Sequence, residues 1–185
     1  MARPRGDEAG PSARERIAAA FWGMLAEGGY DSITVRALAA RAGVNHNTIY
    51  RHFESIDQMA EELFSEAVIP DMPRLVIGGR AGEVAGSPEF ADGLAKAVLF
   101  ARSGSTRLQV ILRGRIEAAW LAAAGVDADE LTDDERIDLD IIFGGIVAAM
   151  GDERIVGDAG ALERIAARPL GRGMHATLAG LAQRR

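Results

Sequence analysis

From Ala13 onward, apolar residues recur with the period of a helix. Ile17, Phe21, Met24 and Leu25 fall at i, i+4, i+7 and i+8 and form one stripe. Gly28-Gly29 ends it, because glycine tolerates the left-handed backbone that closes a helix. Val35, Leu38, Ala39 and Ala42 make a second, shorter stripe that Gly43 breaks after about two turns. Asn45 is placed to cap a third helix ending near Phe53, and Ser55 to cap a fourth from Ile56 to about Ala67. Four helices with such short joints predict one compact unit over residues 13–67. Residues 1–12 are polar and aperiodic and read as a disordered arm.

The pattern then changes. Pro70, Pro73, Gly78, Gly79, Gly82 and Gly86 punctuate a connector, and Ser87-Pro88 opens a new helix, with proline where a missing N–H costs nothing. Helices are expected near 88–103, 106–124, 133–150 and 159–183, the last bent at Pro169. Thr132-Asp-Asp-Glu135 fits a capping box. The helix that follows is apolar nearly all round in its second half, its large apolar residues interrupted by Gly144-Gly145. No strand pattern of convincing length appears, so the fold class is all-α, with residues 68–185 as a second, wholly helical domain.

Composition supports this. Of 185 residues, 34 are Ala, the best helix former, and hydrophobic types make up 48%, enough for a buried core; an all-β fold is excluded. Without Cys there are no disulfides, thiol nucleophiles or zinc fingers. The net charge of −6, taken whole, argues against a nucleic-acid partner, but its distribution points the other way. Residues 1–53 carry seven Arg and five acids (+2), and residues 54–185 carry fourteen bases and twenty-two acids (−8). The longest uncharged apolar stretch, Ile141 to Gly151, is too short for a bilayer, and the N-terminus has no signal-peptide core. The expectation is a cytoplasmic protein with no membrane partner. Arg3 and Arg5 read as solvated charges rather than a minor-groove arm.

The segment Thr34 to Phe53 reads as helix, tight turn, helix. Ala39 is the small residue where two helices can cross, Gly43 sits where the turn needs positive φ, and Val44 and Ile49 plug the angle. Asn45, His46, Asn47, Thr48, Tyr50, Arg51 and His52 remain as a polar face. Base edges in a major groove are read by such amide, hydroxyl and guanidinium groups.

These residues, with Glu27-Gly-Gly-Tyr30 before them, resemble the TetR/AcrR family of transcriptional regulators over roughly residues 14–67. The resemblance implies a helix-turn-helix DNA-binding domain followed by a helical domain for ligand binding and dimerisation. It implies that Thr34 and Arg36 reach phosphates or nearby bases, that Asn45, His46, Asn47 and Thr48 read bases, and that Tyr50 and His52 hold the DNA backbone. The Tyr50 ring is expected to pack while its hydroxyl faces DNA. Two departures stand out. Asn occupies positions 45 and 47, where Ser or Thr and Gly are usual, and Ile56 replaces a usual Lys. Ser55 and the helix amides are left to hold that stretch of backbone, so weaker or more salt-sensitive binding is expected.

The second domain says less. Gln109, Arg113 and Glu117 recur at i, i+4 and i+8; they either line a ligand cavity or form a solvated, salt-bridged face, and the solvated face is the simpler reading. Phe100, Trp120, Phe143, Met150 and Met174, with His175 as polar anchor, are further lining candidates, although such a stripe is more often core. Ile142, Gly145, Ile146 and Ala149, with Leu178 and Leu181, are assigned to a dimer interface, as the resemblance implies. A two-fold dimer would present two recognition helices to a near-palindromic operator. By resemblance the protein is a repressor released by a small apolar or amphipathic effector.

The competing readings are an enzyme and a structural or interaction protein that uses the helix-turn-helix only as a fold. No Ser/His/Asp set, HExxH or phosphate loop is found, and no cofactor is expected. The acids from Asp127 to Glu135 lack the EF-hand spacing, and no metal site is expected.

Overall fold

The computed structural model describes residues 10–67, 73–74, 87–156, 164–165 and 167–183. In chain order the helices are α1 (Ala13–Gly28), α2 (Val35–Ala42), α3 (His46–His52), α4 (Ile56–Ala67), α5 (Pro88–Arg102), α6 (Thr106–Ala124), α7 (Asp133–Gly151), α8 (Glu153–Val156) and α9 (Pro169–Ala182). Short 3-10 turns lie at Tyr30–Ser32 and Ala128–Glu130. No strand occurs among the described residues. The expected arm, including Arg3 and Arg5, lies outside them up to residue 9.

Local chemistry sets the boundaries. Ser12 and Glu15 form a reciprocal capping box at the start of α1, and Thr132 and Glu135 do the same for α7. Ser87 and Ser105 accept from the third amides of α5 and α6. Gly144 and Gly145 lie within α7, which runs unbroken over the expected helix 133–150. One expectation is corrected. Pro169 does not bend a longer helix; it is the first residue of α9, with extended Arg168 before it. A residue preceding proline is pushed out of the α region, so a helix starts there more easily than it passes through. Residues 159–163 and 166 of the expected helix lie outside the described residues.

The chain divides into two compact units, Met1–Leu63 and Phe64–Arg185. In the first, α1 packs on α2 and α3 around Ile17, Phe21, Leu38, Ile49, Phe53 and Met59, all at most 2% exposed. In the second, Leu121, Leu139, Ile142, Phe143, Leu178 and Leu181 form one cluster, with Trp120, Ile146 and Met174 packed against it. Phe64 and Phe100 meet with ring centroids 4.8 Å apart. No helix among the described residues is long and apolar enough to cross a membrane.

After α7 the chain turns at Asp152, whose carboxylate is hydrogen-bonded to the Arg154 guanidinium and backbone N–H and is held at about 2. A carboxyl depressed on folding adds stability that is fully present above its ordinary value of 3.8 and disappears as pH falls toward 2. Thermal melts between pH 5 and pH 2 should therefore show a loss of stability that is smaller in Asp152→Asn than in the parent. Equal losses would assign the acid sensitivity elsewhere.

Candidate nucleic-acid interface

Two caps and one glycine build the helix-turn-helix. Thr34 Oγ1 accepts from the Ala37 N–H at 3.2 Å and starts α2. Gly43 ends it at φ +63°, the left-handed conformation that costs a side-chain-bearing residue about 1–2 kcal/mol. Its N–H bonds to the Ala40 carbonyl at 3.3 Å and that of Val44 to the Ala39 carbonyl at 3.0 Å, so the turn is tight. Asn45, extended, caps α3 by accepting the Asn47 N–H on Oδ1 at 2.9 Å.

The period of the helix then sorts α3. Ile49 is 1% exposed and Phe53 2%, so one side is anchored in the core. His46 and Tyr50, then Asn47 and Arg51, stand at i and i+4 on the other side, and all four are exposed, as is His52. Thr48 is half-buried between the two sides. Tyr50 departs from expectation: its side chain is 56% exposed, so the ring does not pack into the core. The interior behind it is already filled by Ile49. Asn45 forms the expected cap, so its carbonyl oxygen is committed there and its amide nitrogen is left for other contacts. Asn47 has its backbone N–H in that cap, and its side chain is uncommitted among the described residues.

Around this face lie further donors. Arg36 on α2 and Thr34 at its cap are exposed. Ser55 Oγ accepts from the Gln58 N–H at 3.0 Å and caps α4, while its hydroxyl proton stays available to an anion. Ile56 is half-buried, and Tyr30 donates its hydroxyl to Asp57 in the first turn of α4. The unit is braced at its other end by Arg41, which donates twice to Glu27 at 2.5 and 2.6 Å; those bonds hold the Glu27 carboxyl below its ordinary range. This arrangement can present hydrogen-bond donors and cations to a groove of nucleic acid. Among the described residues no group of three or more His, Asp or Glu could hold a metal ion.

In the second unit a cavity of about 570 Å³ opens between α5, α6 and α7. Gln109 and Arg113 line it with Thr106, Val110, Val147 and Asp152 among others. The Gln109 amide donates to the Ala101 carbonyl at 3.1 Å, and Arg113 pairs with Asp140 on α7 at 3.0 Å, across helices rather than along the expected face. Glu117 is half-buried and outside the wall. The other lining candidates are placed elsewhere. Phe100 and Phe143 are fully buried core, Trp120 leans on Phe143 with centroids 6.5 Å apart, and Met174 packs on the same cluster. Met150 is half-buried outside the wall, and His175 is exposed.

Most of the residues assigned to a dimer face lie against the chain's own core. Ile142, Leu178 and Leu181 are at most 6% exposed within the chain's own cluster, and Ile146 packs against it. Ala149 is half-buried; Gly145 alone of the set is exposed. On α7 the large apolar side chains turned outward are Ile137 at 55% and Ile141 at 68%, in line with Gly145 and Ala148; Val110 on α6 and Leu170 on α9 are exposed as well. Gly173, Ala176 and Gly180 leave the outer side of α9 smooth and exposed. A sequence apolar all round cannot tell which of two adjacent isoleucines faces its own core.

Residues 17–63 match the family model of bacterial regulatory proteins of the tetR family. Among solved structures, the chain is similar to a TetR-family transcriptional regulator from Streptomyces coelicolor. The identity is 23%, over 87% of this chain and 99% of that one, with a TM-score of 0.44. No curated protein sequence matches. The matched segment, residues 17–63, runs from α1 through the turn and α3 into α4.

Proposed function

We propose that this chain, which carries a tetR-family DNA-binding domain, is a dimeric repressor that binds a near-palindromic operator and is released by a small amphipathic effector. The observation that carries the reading is the sorting of α3. Ile49 and Phe53 anchor it, while His46, Asn47, Tyr50 and Arg51 stand clear on the opposite side. Asn47 is suited to a base edge, and Tyr50, Arg51, His52, Thr34, Arg36 and Ser55 to sugar-phosphate oxygens. Asn45, His46 and Thr48 flank the reading position, Asn45 with its amide nitrogen.

A two-turn recognition helix covers too few bases to specify a site alone. Two copies related by a two-fold axis would read half-sites ~34–36 Å apart. Ile137 and Ile141 on α7 and the smooth face of α9 supply the surface for that pairing. Effector release requires a ligand with higher affinity for a dimer shape unable to span both half-sites. The cavity beside Gln109 and Arg113 has the size and mixed polarity for such a molecule. No step of this function calls for catalysis or a cofactor.

Selection of duplexes from a random-sequence pool by the purified protein tests the reading. The expected product is an inverted repeat, bound with an affinity that falls steeply between about 50 and about 200 mM salt as phosphate contacts release counterions. Recovery of no enriched sequence, or equal binding to a scrambled duplex, would overturn it.

A further inference from the structure

Three side chains from two other helices meet the exit of α3. The backbone N–H of Glu54, just past the C-cap Phe53, donates to Gln58 Oε1 at 3.0 Å. Gln58 Nε2 donates onward to Glu62 Oε1, one turn further along α4. Glu62 Oε2 lies 3.5 Å from Nη2 of Arg14, near the start of α1. The Arg14 guanidinium carbon stands 5.2 Å from the centroid of the Phe53 ring, itself 2% exposed. The contacts close a ring: Phe53, Glu54, Gln58, Glu62, Arg14 and back to Phe53.

Each link needs its own chemistry. A backbone N–H requires an acceptor and a carboxylate requires a donor, and a carboxamide supplies both from one planar group. A carboxylate at position 58 would accept the first bond and repel Glu62; an alkyl group would make neither. A flat guanidinium can stack on an aromatic ring and still reach a carboxylate, which an ammonium does less well. Arg14 and Glu62 keep more than a third of their side-chain surface in water, so the ion pair adds little stability. Orientation is what the ring can supply. A seven-residue helix has few hydrogen bonds of its own to hold its direction, so what grips its two ends sets its angle. The turn from Gly43 to Asn45 grips the entry, and the ring grips the exit.

We propose that Gln58 is a positioning residue for DNA recognition: its carboxamide fixes the exit of α3 against α1 and α4, and so aims Asn47 and Tyr50. This rests on α3 being the recognition helix. A small tilt of α3 moves base contacts out of register, whereas contacts to phosphates tolerate it.

The test compares the parent with Gln58→Leu and the double variant Gln58→Glu/Glu62→Gln. In the double variant the groups change places: the carboxylate accepts from both Glu54 N–H and the new amide, whose oxygen faces Arg14. Two readouts are taken on the full chain, amide exchange at Glu54 by NMR and affinity for the duplex selected by the parent against a scrambled duplex. Gln58→Leu should speed exchange at Glu54 by up to about tenfold, the loss of one hydrogen bond, and should lower the selected-to-scrambled affinity ratio by a similar factor. Scrambled binding and the thermal midpoint should stay in place, and the double variant should restore both readouts. Unchanged exchange, an unchanged ratio, or an equal loss on both duplexes would overturn the positioning role. A parent that selects no sequence overturns the reading of α3 itself, and with it the aiming role; the exchange arm then separates a held exit from a free one.

Discussion

Ile141→Asp should leave the fold intact, convert dimers to monomers, and lower affinity for a palindromic operator by about 10³-fold or more, toward the non-specific level. The Ile141 side chain is 68% exposed and that of Ile137, one turn earlier, 55%, on a helix whose opposite side is buried in Leu139, Ile142 and Phe143. Each isoleucine removed from water is worth about 1.5–3 kcal/mol, and a two-fold axis uses every such contact twice. A carboxylate there would lose that gain and place a charge in the contact. The neighbouring position is a sharp control. Ile142 is 6% exposed within its own subunit, so Ile142→Asp should unfold the second unit instead of dissociating it. Light scattering and circular dichroism separate the two outcomes. A parent that is monomeric at micromolar concentration, or an Ile141→Asp variant that remains dimeric, would remove this face from consideration.

Asn47→Ala should weaken operator binding by about 1–3 kcal/mol, from about fivefold to more than a hundredfold, and relax selection at one base pair of each half-site. Asn47 stands in the first turn of α3 with its side chain uncommitted, while Asn45 has spent its carbonyl oxygen on the cap. A free carboxamide pairs bidentately with adenine, so the relaxed position should be an A·T pair. Tyr50→Phe should behave differently: without its hydroxyl, affinity for the selected duplex and for every mismatched duplex should fall alike, as expected for a phosphate contact. If Asn47→Ala lowers all duplexes equally, Asn47 is a backbone contact and base reading falls to His46 or Arg51. If neither variant changes binding while both stay folded, the helix-turn-helix serves as a fold and not as a reader.

Much of the first unit was legible from residue order alone. Gly43 announced its positive φ because only glycine takes that conformation without strain, and Asn45 and Ser55 announced helix starts through short side chains that satisfy open amides. These are local effects, decided within four residues. The exposed Tyr50 ring was not legible, since an aromatic residue beside a core position fits either side until the core is seen to be full. Gln58 and Arg14 carry no signal in the sequence. The ring joins residues 48 apart through Arg14 and Glu62, and nothing in local composition marks a glutamine that needs both its donor and its acceptor.

The second unit divides the same way. Its helix starts at Ser87, Ser105 and Thr132 follow from capping chemistry, which acts over one turn. Which apolar residues these helices spend on one another does not follow. The α7 sequence is apolar on nearly every side, so periodicity carries no direction there, and Ile141 and Ile142 are chemically identical. Residue order was enough for most of the helices and their caps, the turn at Gly43 and the polar residues of α3, because each is settled by propensities and hydrogen bonds between near neighbours. Long-range packing was needed to make Phe100 and Phe143 core, to set Gln109 and Arg113 at the border of a cavity, and to turn Ile137 and Ile141 outward. Each of those depends on which distant surface arrives to exclude water.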